Sequence, residues 1–465
     1  MENKIDNSRM DRRGFLRSTA AAGAGMVLAQ TVLGADPNTP AEKQPAAAAP
    51  AAAAIKGSEL NVALLGAGEQ GRNLMNICLK MGKDSGIRFK AVCDIWQYNQ
   101  KKASQVLQKL GHQHNVYVDY QEMLDREKDL QAVIIATPDF WHSEHAAGCM
   151  KAGLHVYSER TMATTLDGAK KMVLTARETG RLLQIGLQRR SNIQYIHCQE
   201  KVLKEAKALG RMIAVNAQWN RPYKPDRGVL KQYPIEPAVL EKYGFKTAEQ
   251  YRNWQWYKGL GGGPLFDFGY TQIDVISWLL GAVPKSVMAS GGVDYYDRNT
   301  HQCYDNVIAV FEYEIDQKAV RASYQTLTAN GNGRQYEVFM GDQGTLKISE
   351  NGEVGIYPEP VAVKWDELVK KGYLKQIVRK EPAGESDAAV DVSESKEPEK
   401  FELPVKSNKS YYQTHLANFF DSIRGKAKLN CPPEVGYESL VALLKTNEAI
   451  ETGTKIEFKP EDFKV

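Results

Sequence analysis

The sequence has little of what marks several large classes of protein. Its six cysteines (Cys78, Cys93, Cys149, Cys198, Cys303 and Cys431) are scattered and form no CxxC pair. Neither sign of charge is in excess: 60 Lys and Arg stand against 56 Asp and Glu, a net +4 over 465 residues. That balance indicates no nucleic-acid or anionic-membrane partner. The apolar run within residues 11–35 is too short and too rich in Ala and Gly to span a bilayer, which takes about 20 strongly apolar residues. No integral membrane span is therefore expected in the mature chain. His142 and His145 stand three apart with no third ligand nearby, so no metal site is expected. There is no internal repeat.

What is present begins at the N-terminus. In "DRRGFLRSTAAAGAGMVLAQTVLGA", residues 11–35, Arg12 and Arg13 precede Phe-Leu and a mild apolar run. This resembles a twin-arginine signal peptide (1–35), cut near Ala35. The resemblance implies a periplasmic or otherwise exported protein that folds in the reducing cytoplasm before it leaves. Its thiols are then expected to be free and buried. Residues 36–57, "DPNTPAEKQPAAAAPAAAAIKG", hold almost no large apolar side chain and cannot offset their ordering entropy, so they read as a linker. The charged, Pro/Ser-rich stretch 379–402 reads as a surface loop.

"ELNVALLGAGEQGRNLMNICLKM" is an apolar strand, a Gly66-x-Gly68-x-x-Gly71 turn and an amphipathic helix. Gly66 permits the tight turn, Gly68 lets backbone approach a pyrophosphate, and Gly71 lets helix and strand pack closely. The helix N-terminus then offers free N–H groups to the phosphates. A second strand ends in Asp94, where an acid binds the adenosine ribose hydroxyls and disfavours a 2′-phosphate. NAD is therefore expected ahead of NADP. The alternation continues through "QAVIIATP", "FWHSEHAAGCMKAG" and "GLHVYSE" to a last strand near 181–187, giving a parallel, doubly wound domain over 58–187. Thr137, Pro138 and Glu159 fall at strand ends, where ligands bind in such sheets. Ala67, Glu69, Gln70 and Gln188 complete the expected cofactor contacts.

"VIIATPDFWHSEHAAGCMKAGLHVYSERTMATTLDGAKKMV", followed by "GGGPLFDFGYTQIDVISWLLG", resembles the glucose–fructose oxidoreductase / inositol dehydrogenase family from about Glu59 onward. The resemblance implies an N-terminal Rossmann domain plus a C-terminal α/β domain, here 188–465, with a large, mostly antiparallel sheet that commonly mediates homo-oligomers. It also implies hydride transfer between a nicotinamide and a sugar or other polyol, and places His142 near the nicotinamide, with a structural role in the "PDFWHSEH" turn equally open. Two motifs depart from the family. Its Glu-Lys-Pro is Glu159-Arg160-Thr161 here, and its Asp-x-Gly-x-His is Asp267-Phe268-Gly269-Tyr270-Thr271.

A guanidinium has no acceptor lone pair, so Arg160 can orient an oxygen but relays protons poorly. Thr271 could pass a proton only by hydrogen-bond switching. Asp267 is then the leading base, with Tyr270 second; a helix cap for Asp267 and a packing role for Tyr270 stay open. With Thr161 in place of proline, the loop is expected to be trans. Trp219, Tyr223, Trp254 and Trp256 could stack on a sugar. The segment "YYQTHLANFFDSIRGKAKL" reads as the last helix, packed on the main body. Three functions remain open: an exported NAD-dependent sugar oxidoreductase, a redox-neutral NAD-dependent glycosidase, or a non-catalytic sugar-binding or cofactor-binding protein.

Overall fold

A computed structural model describes residues 59–350, 354–360, 362, 365–377 and 399–465. The expected signal (1–35), the expected linker (36–57) and most of the 379–402 stretch lie outside the described residues.

Six strands form the first sheet: β1 (Leu60–Leu65), β2 (Ile87–Cys93), β3 (Asn115–Tyr117), β4 (Ala132–Ile135), β5 (His155–Ser158) and β6 (Leu183–Ile185). Every pairing is parallel, in the order β3-β2-β1-β4-β5-β6. Parallel strands covered on both faces read as near-continuous apolar runs, which is why LNVALL and AVII are buried along almost their whole length. Helices α1 (Glu69–Lys80), α2 (Gln97–Lys109), α3 (Tyr120–Arg126), α4 (Asp139–Lys151) and α5 (Leu166–Thr179) make the crossovers.

The second sheet has ten strands: β7 (Met212–Asn220), β8 (Ser286–Gly292), β9 (Asn306–Ile315), β10 (Lys318–Leu327), β11 (Gln335–Gly341), β12 (Gly344–Ile348), β13 (Gly355–Pro358), β14 (Lys375–Gln376), β15 (Phe401–Glu402) and β16 (Ile456–Glu457). Their order is β14-β15-β13-β12-β11-β7-β10-β9-β8-β16, antiparallel except where β7 meets β10. One face buries Val215, Ala217, Phe311, Tyr313, Ala322, Tyr324 and Phe339 in alternation. The other face leaves Met288 and Ile308 more than half exposed, beside half-buried Val310, Val338 and Met340.

Two sequence expectations change here. The stretch 379–402 is not all loop, because Phe401, 2% exposed, pairs with Ile356 and ends the segment as β15. The helix Tyr411–Ile423 is not the last. It packs Leu416, Phe419, Phe420 and Ile423 onto the first domain's core, and the helix Pro433–Thr452 follows, lying against β8 and α5. All six cysteines are free and buried, as expected. Among the described residues no helix is long and apolar enough to cross a membrane.

Candidate active site

A cleft of about 920 Å³ opens at the carboxyl ends of β1, β2, β4 and β5 and runs to the second domain. Gly66, Gly68, Glu69, Gln70, Asp94, Thr137, Pro138 and Glu159 all line it. Gly66 adopts φ +89°, and a Cβ there would lie 2.6 Å from the Ala136 carbonyl. A Cβ on Gly71 would lie 1.9 Å from Gly66 O, so only glycine lets α1 start this close to the turn. Nothing lies within 4 Å of where a Gly68 Cβ would stand, and no side chain caps α1. The turn therefore leaves both space and free N–H groups for a pyrophosphate.

Asp94, at the end of β2, accepts from Ala67 N and Trp96 N at 2.8 Å each. Asn99 Nδ2 and the Tyr251 hydroxyl also donate to it, at 3.2 and 3.5 Å. Burial pushes its pKa up to about 6 against the pull of those donors. The open turn, the uncapped helix and this acid together fit a dinucleotide.

Ala67, Gly71, His142 and Gln188, also expected to touch the cofactor, sit behind the cleft wall. His142 is 1% exposed, with Nδ1 2.7 Å from Thr161 O and Nε2 2.8 Å from Thr137 O. It ties two strand-end loops together instead of facing the cleft. Gln188 Nε2 donates to Glu159 Oε1 at 2.8 Å, and Gln70 Nε2 to the same oxygen at 2.9 Å. These two amides fix Glu159, whose pKa burial raises.

At the far end Arg160 Nη1 lies 2.5 Å from Asp267 Oδ1 and also donates to the Asp267 carbonyl. Asp267 Oδ2 has no hydrogen-bond partner among the described residues, and the side chain is 55% exposed. The alternative helix-cap role for Asp267 is absent, since Asp267 lies inside the helical turn Leu265–Gly269 and the helix Tyr270–Leu280 has no side-chain cap. The Arg160–Thr161 peptide is cis, against expectation. Its surroundings hold that geometry: Thr161 Oγ1 donates to Phe266 O at 2.9 Å, and Thr161 O meets His142.

Tyr270 is a correction to the catalytic set. It is fully buried and its hydroxyl donates to Gly436 O at 2.7 Å, so it packs the core. Thr271 is likewise buried, its Oγ1 without a hydrogen-bond partner among the described residues, and it does not line the cleft. Of the aromatics, Trp254 lines the cleft. Trp219 stacks on Phe268 at 5.0 Å behind it, while Trp256 and Tyr223 join a cluster with Tyr296.

Sequence reasoning passed over Asp139 and the cations of the 221–227 segment. Asp139 opens α4, is 8% exposed and lines the cleft. Burial and the nearby Asp267 raise its pKa well above the ordinary carboxylate value. Arg221, Lys224 and Arg227 line the second domain's side. The string "RPYKPDR" was the available signal, three cations in seven residues, but it carries no spacing that says where they point.

A six-stranded parallel sheet with an open glycine turn and a ribose-side acid, joined to an α/β domain that completes the cleft, is the architecture of a two-domain dinucleotide-dependent oxidoreductase. Residues 60–187 match "Oxidoreductase family, NAD-binding Rossmann fold" and residues 238–458 match "Oxidoreductase family, C-terminal alpha/beta domain"; the chain belongs to this family. A curated relative, a glycosyl hydrolase family 109 protein of Shewanella baltica, is 31% identical over 174 residues, covering 36% of this chain and 37% of the relative. The chain thus matches little more than a third of that protein's length. Among solved structures, aldose-aldose oxidoreductase from Caulobacter crescentus superimposes with a TM-score of 0.61 at 17% identity, covering 86% of this chain and all of the other. Myo-inositol 2-dehydrogenase from Lactobacillus plantarum does so with 0.60 at 15% identity, over 86% and 100%. Likeness at that identity speaks for the fold.

Proposed function

We propose that this protein is an exported NAD-dependent oxidoreductase acting on a hydroxyl of a sugar or glycoside. One observation carries the reading: the glycine turn and the Arg160–Asp267 pair line one continuous cleft. Gly66–Gly71 and the start of α1 would hold the pyrophosphate, Asp94 the adenosine ribose, and Thr137, Pro138 and Glu159 the nicotinamide half. When bound, NAD supplies the hydride acceptor. Oxidising an alcohol also needs a base for the hydroxyl proton. Asp267 Oδ2 takes that role, while Arg160 holds the oxygen and stabilises its growing negative charge. Asp139, buried beside them, is the second carboxyl able to carry a proton. The acid at Asp94 supports NAD over NADP.

Asp267→Asn keeps the shape and removes the base. It is expected to slow single-turnover nicotinamide reduction by about 10²–10⁴-fold with sugar binding retained. Arg160→Ala is expected to weaken sugar binding as well, because a charge-assisted hydrogen bond is lost. Full activity in Asp267→Asn would pass the base role to Asp139. A native protein inert on every sugar would leave only a binding function.

The glycosyl hydrolase family 109 relatives favour a second reading, a redox-neutral NAD-dependent glycosidase. Aglycone release without net NADH separates the two. The pattern at Arg12 and Arg13 supports export by the twin-arginine route, and the uncovered apolar sheet face supports a homo-oligomer.

A further inference from the structure

Five basic side chains line the cleft in addition to Arg160. Three of them have local partners. Arg72 Nη1 donates to Ala67 O and Asn99 Oδ1. Arg227 Nη2 lies 3.2 Å from Glu69 Oε2, at the start of α1, and so belongs to the pyrophosphate end. Arg252 donates to Gly228 O and covers the Trp96 ring. Arg160 is neutralised by Asp267.

Arg221 and Lys224 are different. The Arg221 guanidinium lies 4.9 Å from the Phe268 ring and 5.4 Å from that of Trp219, and no carboxylate pairs with it among the described residues. Phe268 directly follows Asp267, so this charge sits at the reacting end. Lys224 is held through its backbone, its N–H donating to the Tyr296 hydroxyl at 3.3 Å, and its ammonium has no partner among the described residues. Both side chains are exposed to the cleft's solvent. Two uncompensated cations lining the cleft, one of them seated on aromatic faces at the reacting end, form a receptor for a negative charge. The dinucleotide phosphates have their own seat at the glycine turn, next to Arg227.

Resting on the sugar-oxidoreductase reading for the site itself, we infer that the substrate carries an anionic group, a carboxylate or a sulfate ester on the sugar, and that Arg221 and Lys224 bind it. Neutral sugars are then poor ligands. The anionic preference is electrostatic and weakens as salt rises.

The test uses the protein with its bound cofactor and matched methyl glycosides of several parent sugars, each as neutral, uronate and sulfate forms. Calorimetry gives the affinities and nicotinamide absorbance gives turnover. The anionic member of at least one pair is expected to bind about tenfold or more tightly than its neutral counterpart. Uronate against sulfate identifies the group. That ratio should collapse in the Arg221→Gln/Lys224→Gln double variant and persist in Lys231→Gln, an exposed cation four residues beyond that segment and outside the cleft. Equal affinity within every pair, or a ratio that survives the double variant, overturns the proposal. A protein that discriminates without any absorbance change keeps the anion site and removes the oxidoreductase reading. Turnover of neutral sugars without discrimination does the reverse.

Discussion

Asp94 is held in a costly state. The residue is 8% exposed, and burial raises its pKa from 3.8 to about 6. A folded chain that holds a proton more tightly than the unfolded one loses stability as pH climbs from about 4 to about 6, and the loss is complete above that. Ribose hydroxyls donating to the ionised form would offset it. NAD affinity of nucleotide-stripped protein is therefore expected to fall about tenfold per pH unit below about 6, and to level off above. Asp94→Asn should bind weakly at every pH with a flat profile, and Asp94→Ala should narrow the gap to NADP. Fluorescence titration across pH measures this. A flat profile in the native protein would remove Asp94 from the ribose site.

Asp94 and Glu159 could be found from sequence because each ends a strand of one regular alternation. His142 and Tyr270 could not be assigned that way, since the same residue can face a cleft or a neighbouring loop. Backbone carbonyls supplied by Thr161, Thr137 and Gly436 decided both.

The ten-stranded sheet presents an open face on which Met288, Ile308 and Val310 lie on adjacent strands β8 and β9. Alternation in β9 and β10 puts aromatic and aliphatic side chains on the inner face, yet the outer face of β9 keeps Ile308 and Val310. Such a patch on a solvated sheet calls for a covering surface, and a second copy supplies an identical one. The native protein is expected to run in light scattering at a multiple of the single-chain mass. Ile308→Lys should bring it to the mass of one chain with the fold retained, because the side chain already faces outward. A native protein of single-chain mass would dispose of the idea. The helix Pro433–Thr452 is hard to see in the sequence because its apolar residues are interleaved with small polar ones and it packs against two partners, so it carries no single apolar stripe.

On the proposed export reading, the N-terminal pattern and the cleft would belong to a protein that carries its cofactor out of the cell. A folded-protein export route allows the dinucleotide to be bound before crossing. Replacing Arg12 and Arg13 with Lys is expected to leave the chain in the cytoplasm, still loaded with NAD. Cell fractionation and absorbance of the denatured protein read the two halves separately. Unchanged export of that variant would end the twin-arginine reading, whatever the cofactor result.

By itself the sequence determined the doubly wound domain, the cofactor turn and the family's second domain, because those depend on period, glycine placement and chain order. It also exposed the departures at Arg160, Thr161 and Thr271, since a motif shows its own substitutions. Tertiary structure alone decided that Arg160 meets Asp267 across 107 residues, and that Tyr270 and Thr271 turn into the core. It also decided that Asp139 and Arg221 reach the cleft. The physical reason is that local pattern governs backbone conformation and which face is buried, whereas partners for a charge or a hydroxyl come from segments distant in the chain. Those partners become visible only once packing has brought them within hydrogen-bond reach.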